Sequence, residues 1–165
     1  MRGIAPALAA GILLVAAWPA PAADPGTRPP SFTLEDLDGR PVSLSDFAGQ
    51  VVSIHFFALW CEPCMQQLRT IEEVAARCGE RGYQPLLVAV PHRLDRRRLR
   101  EHAKAGGLEI PVLLDTGGTV LKAYGVTGLP MNILVGRDGV VRYGGDSLPT
   151  SLLDEVSRLL AEKAR

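Results

Sequence analysis

Val51-Val52-Ser53-Ile54-His55-Phe56-Phe57-Ala58, followed after Leu59 by Trp60-Cys61-Glu62-Pro63-Cys64, is the stretch that decides the fold of this 165-residue chain. The run from Val51 to Ala58 is apolar except for Ser53 and His55, which is the composition of a strand buried on both faces. Beyond it, Cys64, Leu68, Ile71, Val74, Ala75 and Cys78 recur at helical spacing. Cys61 to Cys78 therefore predicts an amphipathic helix closed by Gly79. Two cysteines thus stand two residues apart where a central strand hands over to a helix.

That placement has a chemical reason. At a helix N-terminus, free backbone N–H groups and the helix dipole stabilise a thiolate, which makes Cys61 the expected nucleophile. Cys64, one turn on and more deeply placed, is within reach of a disulfide and is the expected resolving thiol. A structural zinc half-site and a static disulfide are the competing readings. Zinc needs about four ligands, and the chain offers no second cysteine pair and only His55, His92 and His102. No metal or cofactor is expected.

Outward from this core, Phe32-Thr33-Leu34, the Asp38-Gly39 turn and Val42-Ser43-Leu44 predict a short hairpin ahead of the main sheet. Pro85 to Val90 reads as a second buried strand, Asp95 to Ala105 as a helix ended by Gly106-Gly107, Val112 to Leu114 as a short edge strand, and Gly118 to Tyr124 as a short helix. Met131–Val135 and Val140–Tyr143 flank Gly136-Arg137-Asp138-Gly139 as an antiparallel hairpin, and Thr150 to Lys163 forms the last helix. The order implies an α/β fold: a mixed central sheet, parallel first and antiparallel at the end, flanked by helices.

Balanced charge, 18 Lys+Arg against 18 Asp+Glu, removes the long-range positive field of most nucleic-acid binders, so no nucleic acid is expected as partner. With 47% hydrophobic residues, 22% charged residues and three cysteines, the chain is also neither disordered nor a disulfide-stapled miniprotein. Residues 1–23 carry one charge, Arg2, then an apolar run from Ala7 to Trp18 and the string Ala20-Pro21-Ala22-Ala23. This reads as a secretory signal peptide cleaved after Ala22 or Ala23, with an uncleaved anchor as the alternative. No cysteine near that region points to a lipid anchor. Residues 24–30, rich in Pro and Gly, read as a linker, and 31–165 as one domain.

Phe56-Phe57-Ala58-Leu59-Trp60-Cys61-Glu62-Pro63-Cys64, Val126-Thr127-Gly128-Leu129-Pro130 and Ile133-Leu134-Val135-Gly136-Arg137-Asp138-Gly139 together resemble the exported TlpA-like and ResA-like branch of thioredoxin-fold thiol-disulfide oxidoreductases. The resemblance runs from about Pro30 to Leu160 and implies a thioredoxin-like fold with an N-terminal hairpin extension. It implies that Pro130 is cis and faces the disulfide, with the Leu129 backbone pairing an incoming extended polypeptide. Trp60, Glu62 and Pro63 complete the expected substrate-contacting set. Protein dithiols and disulfides are the implied partners, with a membrane electron donor, a monomeric state and a periplasmic location. Reduction of the haem-attachment cysteines of apocytochrome c is the role this branch suggests. Glu62 argues for a reductant independently, because a carboxylate beside Cys61 disfavours its thiolate and so the reduced form is less stabilised.

Two departures from that branch concern the proton Cys64 must lose. Its relatives usually carry Glu three residues after the second cysteine and a Pro soon after; here Gln67 and Arg69 stand there, and Gln67 cannot titrate. Six residues before Cys61 the expected Asp or Asn is His55. On an alternating strand His55 shares a face with Val51, Ser53 and Phe57, beneath the start of the helix. His55 is therefore the candidate proton acceptor for Cys64, the alternative being a neutral core imidazole.

Cys78, 14 residues beyond Cys64 on one helix, is about 21 Å away along the axis, too far to join the redox pair, and reads as a buried small hydrophobe. Arg93, Arg97, Arg100 and Lys104 read as a basic helical stripe on a solvated face, with His92 in a loop and His102 at a helix boundary. A peroxiredoxin-like peroxidase shares the fold, but Ala58 stands where such enzymes place Thr. A copper-binding assembly factor would want wider cysteine spacing and a late His, and none follows His102.

Overall fold

The computed structural model describes residues 24–162. In chain order its elements are β1 (Thr33–Asp36), β2 (Pro41–Ser43), β3 (Val51–Phe57), α1 (Glu62–Cys78), β4 (Tyr83–Ala89), α2 (Arg96–Gly106), β5 (Val112–Leu114), α3 (Thr119–Ala123), β6 (Met131–Val135), β7 (Val141–Gly145) and α4 (Leu152–Ala161). The signal-peptide or anchor reading of 1–23 lies outside the described residues. No helix among the described residues is long and apolar enough to cross a membrane.

β3 is buried at every position, as its near-continuous apolar composition requires, because it has a strand on either side and helices on both faces. The seven strands run in the spatial order β2-β1-β5-β4-β3-β6-β7. β3, β4 and β5 are mutually parallel, whereas β6 lies antiparallel to β3, and β7 to β6. The expected mixed sheet and thioredoxin-like architecture are borne out. α1 packs against α4 and shares a cleft with α2 lined by Met65, Leu68, Glu72 and His102, so these three helices cover one face. α3 covers the other, where Tyr124 at its end packs on Phe56 with ring centroids 5.5 Å apart.

Several expectations are corrected. β5 is not an edge strand: β1 pairs with it antiparallel, Glu35 opposite Leu114, so the N-terminal hairpin shields it and all three of its residues are buried. α1 does end at Cys78 with Gly79 as its C-cap, as expected, but Gly79 stays right-handed at φ −57°, so the chain continues through one 3₁₀ turn and Gly82, at φ 96°, makes the reversal into β4. Arg93 lies outside α2 in a left-handed turn, φ 56°, which breaks the basic stripe. Arg97 pairs with Glu101 and Arg100 with Asp38, leaving less free positive charge than the spacing suggested. His102 sits inside α2 and not at its boundary, because the helix runs on to Gly106 before Gly107 caps it in the left-handed conformation.

Residues 24–30 are not a free linker either. Gly26 N donates to Val141 O and Val141 N to Thr27 O, both at 2.8 Å, so the segment lines the outer side of β7. Tyr124 Oη then donates to Pro30 O at 2.7 Å. Pro and Gly composition marked a segment without its own periodicity; it could not reveal that the β7 edge offers backbone partners.

Candidate redox site

Cys61 is the N-cap of α1, in extended conformation at φ −92°, and its Sγ accepts the Cys64 N–H at 3.3 Å. Pro63 sits in the first turn, where a missing N–H leaves no helical bond unmade. This local chemistry, a sulfur at the N-cap and Pro just inside, begins the helix at Glu62. Cys61 and Cys64 are joined by a disulfide with Cα atoms 5.3 Å apart. Cys64 is fully buried and Cys61 is 5% exposed, so the outer sulfur is the one a partner can reach. Cys78 is a free, buried thiol.

Around this pair, Glu62 and Pro63 are exposed, and the Glu62 carboxylate accepts from Gln66 Nε2 at 3.3 Å. Trp60 is half exposed and is held by its indole N–H, which donates to His92 O at 3.1 Å, with the His92 ring edge-on to it. The Leu129–Pro130 peptide is cis, with Pro130 buried and Leu129 half-buried.

His55 is buried on the α1 side of the sheet, directly across from Asn132 in the β3–β6 register. Its Nδ1 lies 2.7 Å from Asn132 Oδ1, and its ring stacks on Phe57. Asn132 Nδ2 donates to Gln67 Oε1 at 2.8 Å and to Gly145 O at 3.4 Å, and Gln67 Nε2 donates to Asp146 O at 3.0 Å. Gln67 and His55 are therefore linked through the Asn132 amide. His55 Nε2 is buried without a hydrogen-bond partner. Burial holds the His55 imidazole below its ordinary value of 6.5, opposed by the hydrogen bond to Asn132 and by the nearby Cys64 backbone.

Asn132 was not singled out from the sequence, yet a signal existed: it is the polar member of Met131-Asn132-Ile133-Leu134-Val135, and a buried amide needs partners. A second buried polar pair lies in the same sheet. Ser53 Oγ and Tyr83 Oη lie 2.7 Å apart beneath α1, and burial pushes the Tyr83 phenol upward. Among the described residues, no group of three or more His, Cys, Asp or Glu converges as a metal-holding cluster.

A disulfide at a strand-to-helix junction, outer sulfur reachable and inner sulfur buried, on a mixed sheet with a cis-Pro loop, defines a thioredoxin-fold protein with a dithiol–disulfide centre. The chain belongs to the AhpC/TSA family, whose model matches residues 25–144. It is 32% identical to the thiol-disulfide oxidoreductase ResA of Bacillus thuringiensis subsp. konkukian over 116 residues, 70% of this chain and 66% of that protein. It is 31% identical to the ResA of Bacillus subtilis over 136 residues, 82% of this chain and 75% of that one. The matched part thus spans just under two thirds of the first relative. Among solved structures, a thiol:disulfide interchange protein of the thioredoxin family from Chlorobium tepidum superposes with a TM-score of 0.72 at 25% identity, covering 84% of this chain and 99% of its own.

Proposed function

We propose that this chain is an exported thiol-disulfide oxidoreductase that reduces protein disulfides. The observation that carries the reading is the Cys61–Cys64 disulfide, capped onto α1 with only Cys61 reachable. In the reduced protein the Cys61 thiolate attacks one sulfur of a target disulfide; a Cys61–target bond forms and one target thiolate leaves. Cys64 then gives its proton to His55 Nε2, and the Cys64 thiolate attacks Cys61 Sγ. The Cys61–Cys64 bond forms, the second target thiolate leaves, and two electrons have passed from the dithiol to the target. The proton on His55 is released to the departing thiolate. His55 is thereby the proton acceptor; its burial on the α1 face and its partnerless Nε2 support the role.

Leu129 and Pro130 offer the backbone edge against which an extended target lies, and Trp60, Glu62 and Pro63 form the exposed rim it meets. Glu62 sets the direction toward reduction by opposing the N-terminal stabilisation of the Cys61 thiolate. Export rests on the composition of 1–23, and in that setting the oxidised centre needs electrons from a membrane donor. Apocytochrome c is the target class that the resemblance to the TlpA-like and ResA-like branch favours, and a monomer is expected to act. Ala58, in place of a hydroxyl residue, favours dithiol exchange over peroxidase chemistry.

The test is the reduction potential of the Cys61/Cys64 pair, measured by equilibration with defined thiol buffers. A value of about −250 mV or lower supports a reductase; a value near about −120 mV makes the protein a disulfide donor and reverses the direction. Peroxide consumption without a protein disulfide target would overturn the whole reading.

A further inference from the structure

The buried hydrogen-bond chain under α1 has a fixed polarity, and backbone carbonyls fix it. Asp146 O can only accept, so the Gln67 atom 3.0 Å from it is the amide nitrogen, and Gln67 turns its oxygen toward Asn132. Gly145 O can only accept as well, so Asn132 turns its amide nitrogen toward Gly145 and Gln67, and its oxygen toward His55. Reversing either amide would press carbonyl oxygens against one another. At the end of the chain, 2.7 Å from Asn132 Oδ1, His55 Nδ1 must carry a hydrogen. The neutral imidazole then has its lone pair on Nε2, the buried nitrogen without a partner. An imidazole with the opposite tautomer would present N–H there and could not take a proton.

Resting on the reading of His55 as proton acceptor, we infer that Asn132 and Gln67 are positioning residues for resolution: they hold His55 as the Nδ1–H tautomer, so that its Nε2 is free to accept the Cys64 proton. In that step the Cys64 S–H bond breaks and an Nε2–H bond forms; no electrons move until the Cys64 thiolate attacks Cys61 Sγ. The imidazolium keeps its Nδ1–H on Asn132 Oδ1, so no member of the chain has to turn. The same bond stabilises the charged ring against the cost of burial. The arrangement is made of three uncharged groups, and Gln67 serves in it by donating to Asp146 O and accepting from Asn132 at once.

The groups around the ring are few. On α1 they are Cys61 and Cys64, with Glu62 directed to solvent. On β3 and β4 they are Ser53 and Tyr83, which are bonded to each other. After β7 comes Asp146, exposed, whose carboxylate accepts from Ser147 Oγ. α4 buries Leu152, Val156, Leu159 and Leu160, while its Glu155 is paired with Arg158. Of these groups Cys64 is the one whose backbone lies against the His55 ring, and it is the fully buried member of the disulfide.

The experiment uses the full chain, reduced, with ¹⁵N-histidine labelling, alongside a single-turnover assay of mixed-disulfide resolution against pH. In the wild type the His55 Nε2 resonance is expected in the unprotonated range above the ring's pKa. Asn132→Leu should move it toward the protonated range and slow resolution about tenfold at neutral pH, and Gln67→Met should do the same to a smaller extent. Asn132→Asp keeps an acceptor facing Nδ1 and should retain the Nδ1–H tautomer, while it loses the donor to Gln67 and Gly145 and its charge raises the pKa of the ring. If Asn132→Leu and Gln67→Met leave tautomer and rate unchanged while His55→Asn abolishes the titrating step, the positioning role is refuted and the proton-acceptor reading stands. An unchanged pH profile in His55→Asn refutes both. Should Asn132→Leu fail to fold, Gln67→Met, on the half-buried flank of α1, decides between these outcomes by the same two readouts.

Discussion

Acidification should reveal the buried imidazole as a stability term. In the unfolded chain His55 titrates near 6.5, whereas in the folded protein burial holds it lower. Between those two values the unfolded state binds a proton that the folded state refuses, so the stability of the folded form falls as pH falls. The slope contributed by this one group is about 1.4 kcal/mol per pH unit, and it vanishes above 6.5 and below the depressed folded value. For a domain of this size that corresponds to about 4–6 °C in Tm for each pH unit. The assay is thermal unfolding of the oxidised protein in steps from pH 7.5 to 5, for the wild type and for His55→Asn. Asn at that position keeps a donor for Asn132 Oδ1 but does not titrate. Every other acid and base is shared, so the difference between the two Tm-versus-pH curves isolates His55. Wild type should lose stability faster on acidification by that slope; parallel curves would refute the account of a buried, uncharged His55.

Three further outcomes are expected. Tyr83→Phe or Ser53→Ala alone strands a buried hydroxyl and should cost about 1–3 kcal/mol, while the double variant should be less destabilised than the two losses added, as read from denaturant midpoints. Asp115→Ala should lower stability by about 1–2 kcal/mol in the same assay, because the buried carboxylate accepts Leu121 N–H at 2.8 Å and anchors the start of α3. Glu62→Lys should raise the reduction potential, making the pair more oxidising; an unchanged or lower potential in thiol-buffer equilibration would mean that Glu62 does not set the direction.

Much of this was legible in the residues themselves. The apolar run of β3 requires a strand covered on both faces, and the cysteine spacing at its exit requires a helix start, so both the sheet's interior and the redox pair could be placed. What periodicity cannot encode is which strand lies beside which. Val112-Leu113-Leu114 is short and apolar, and nothing in those residues announces that β1 will pair with them from nearly 80 residues earlier. The same holds for the site: His55 was visible as an oddity in an apolar strand, but Asn132 lies 77 residues away and meets it only through the β3–β6 register. Gln67 read as the loss of an acid, because its contribution lies in donating and accepting at once, and that depends on where two carbonyls happen to fall.

The segment lining β7 carries a consequence for the order of assembly. Gly26 and Thr27 are hydrogen-bonded to Val141, more than 110 residues further along the chain, and Arg28 reaches Asp138 O. β1 in turn waits for β5. During synthesis these early residues have no partners until the β6–β7 hairpin has emerged, so what is made early docks last, and it closes loops of more than 110 residues. The core around β3, β4 and α1, built from neighbours in the chain, can form without them. Hydrogen exchange should therefore find the amides of Gly26 and Val141 opening together and well before those of β3.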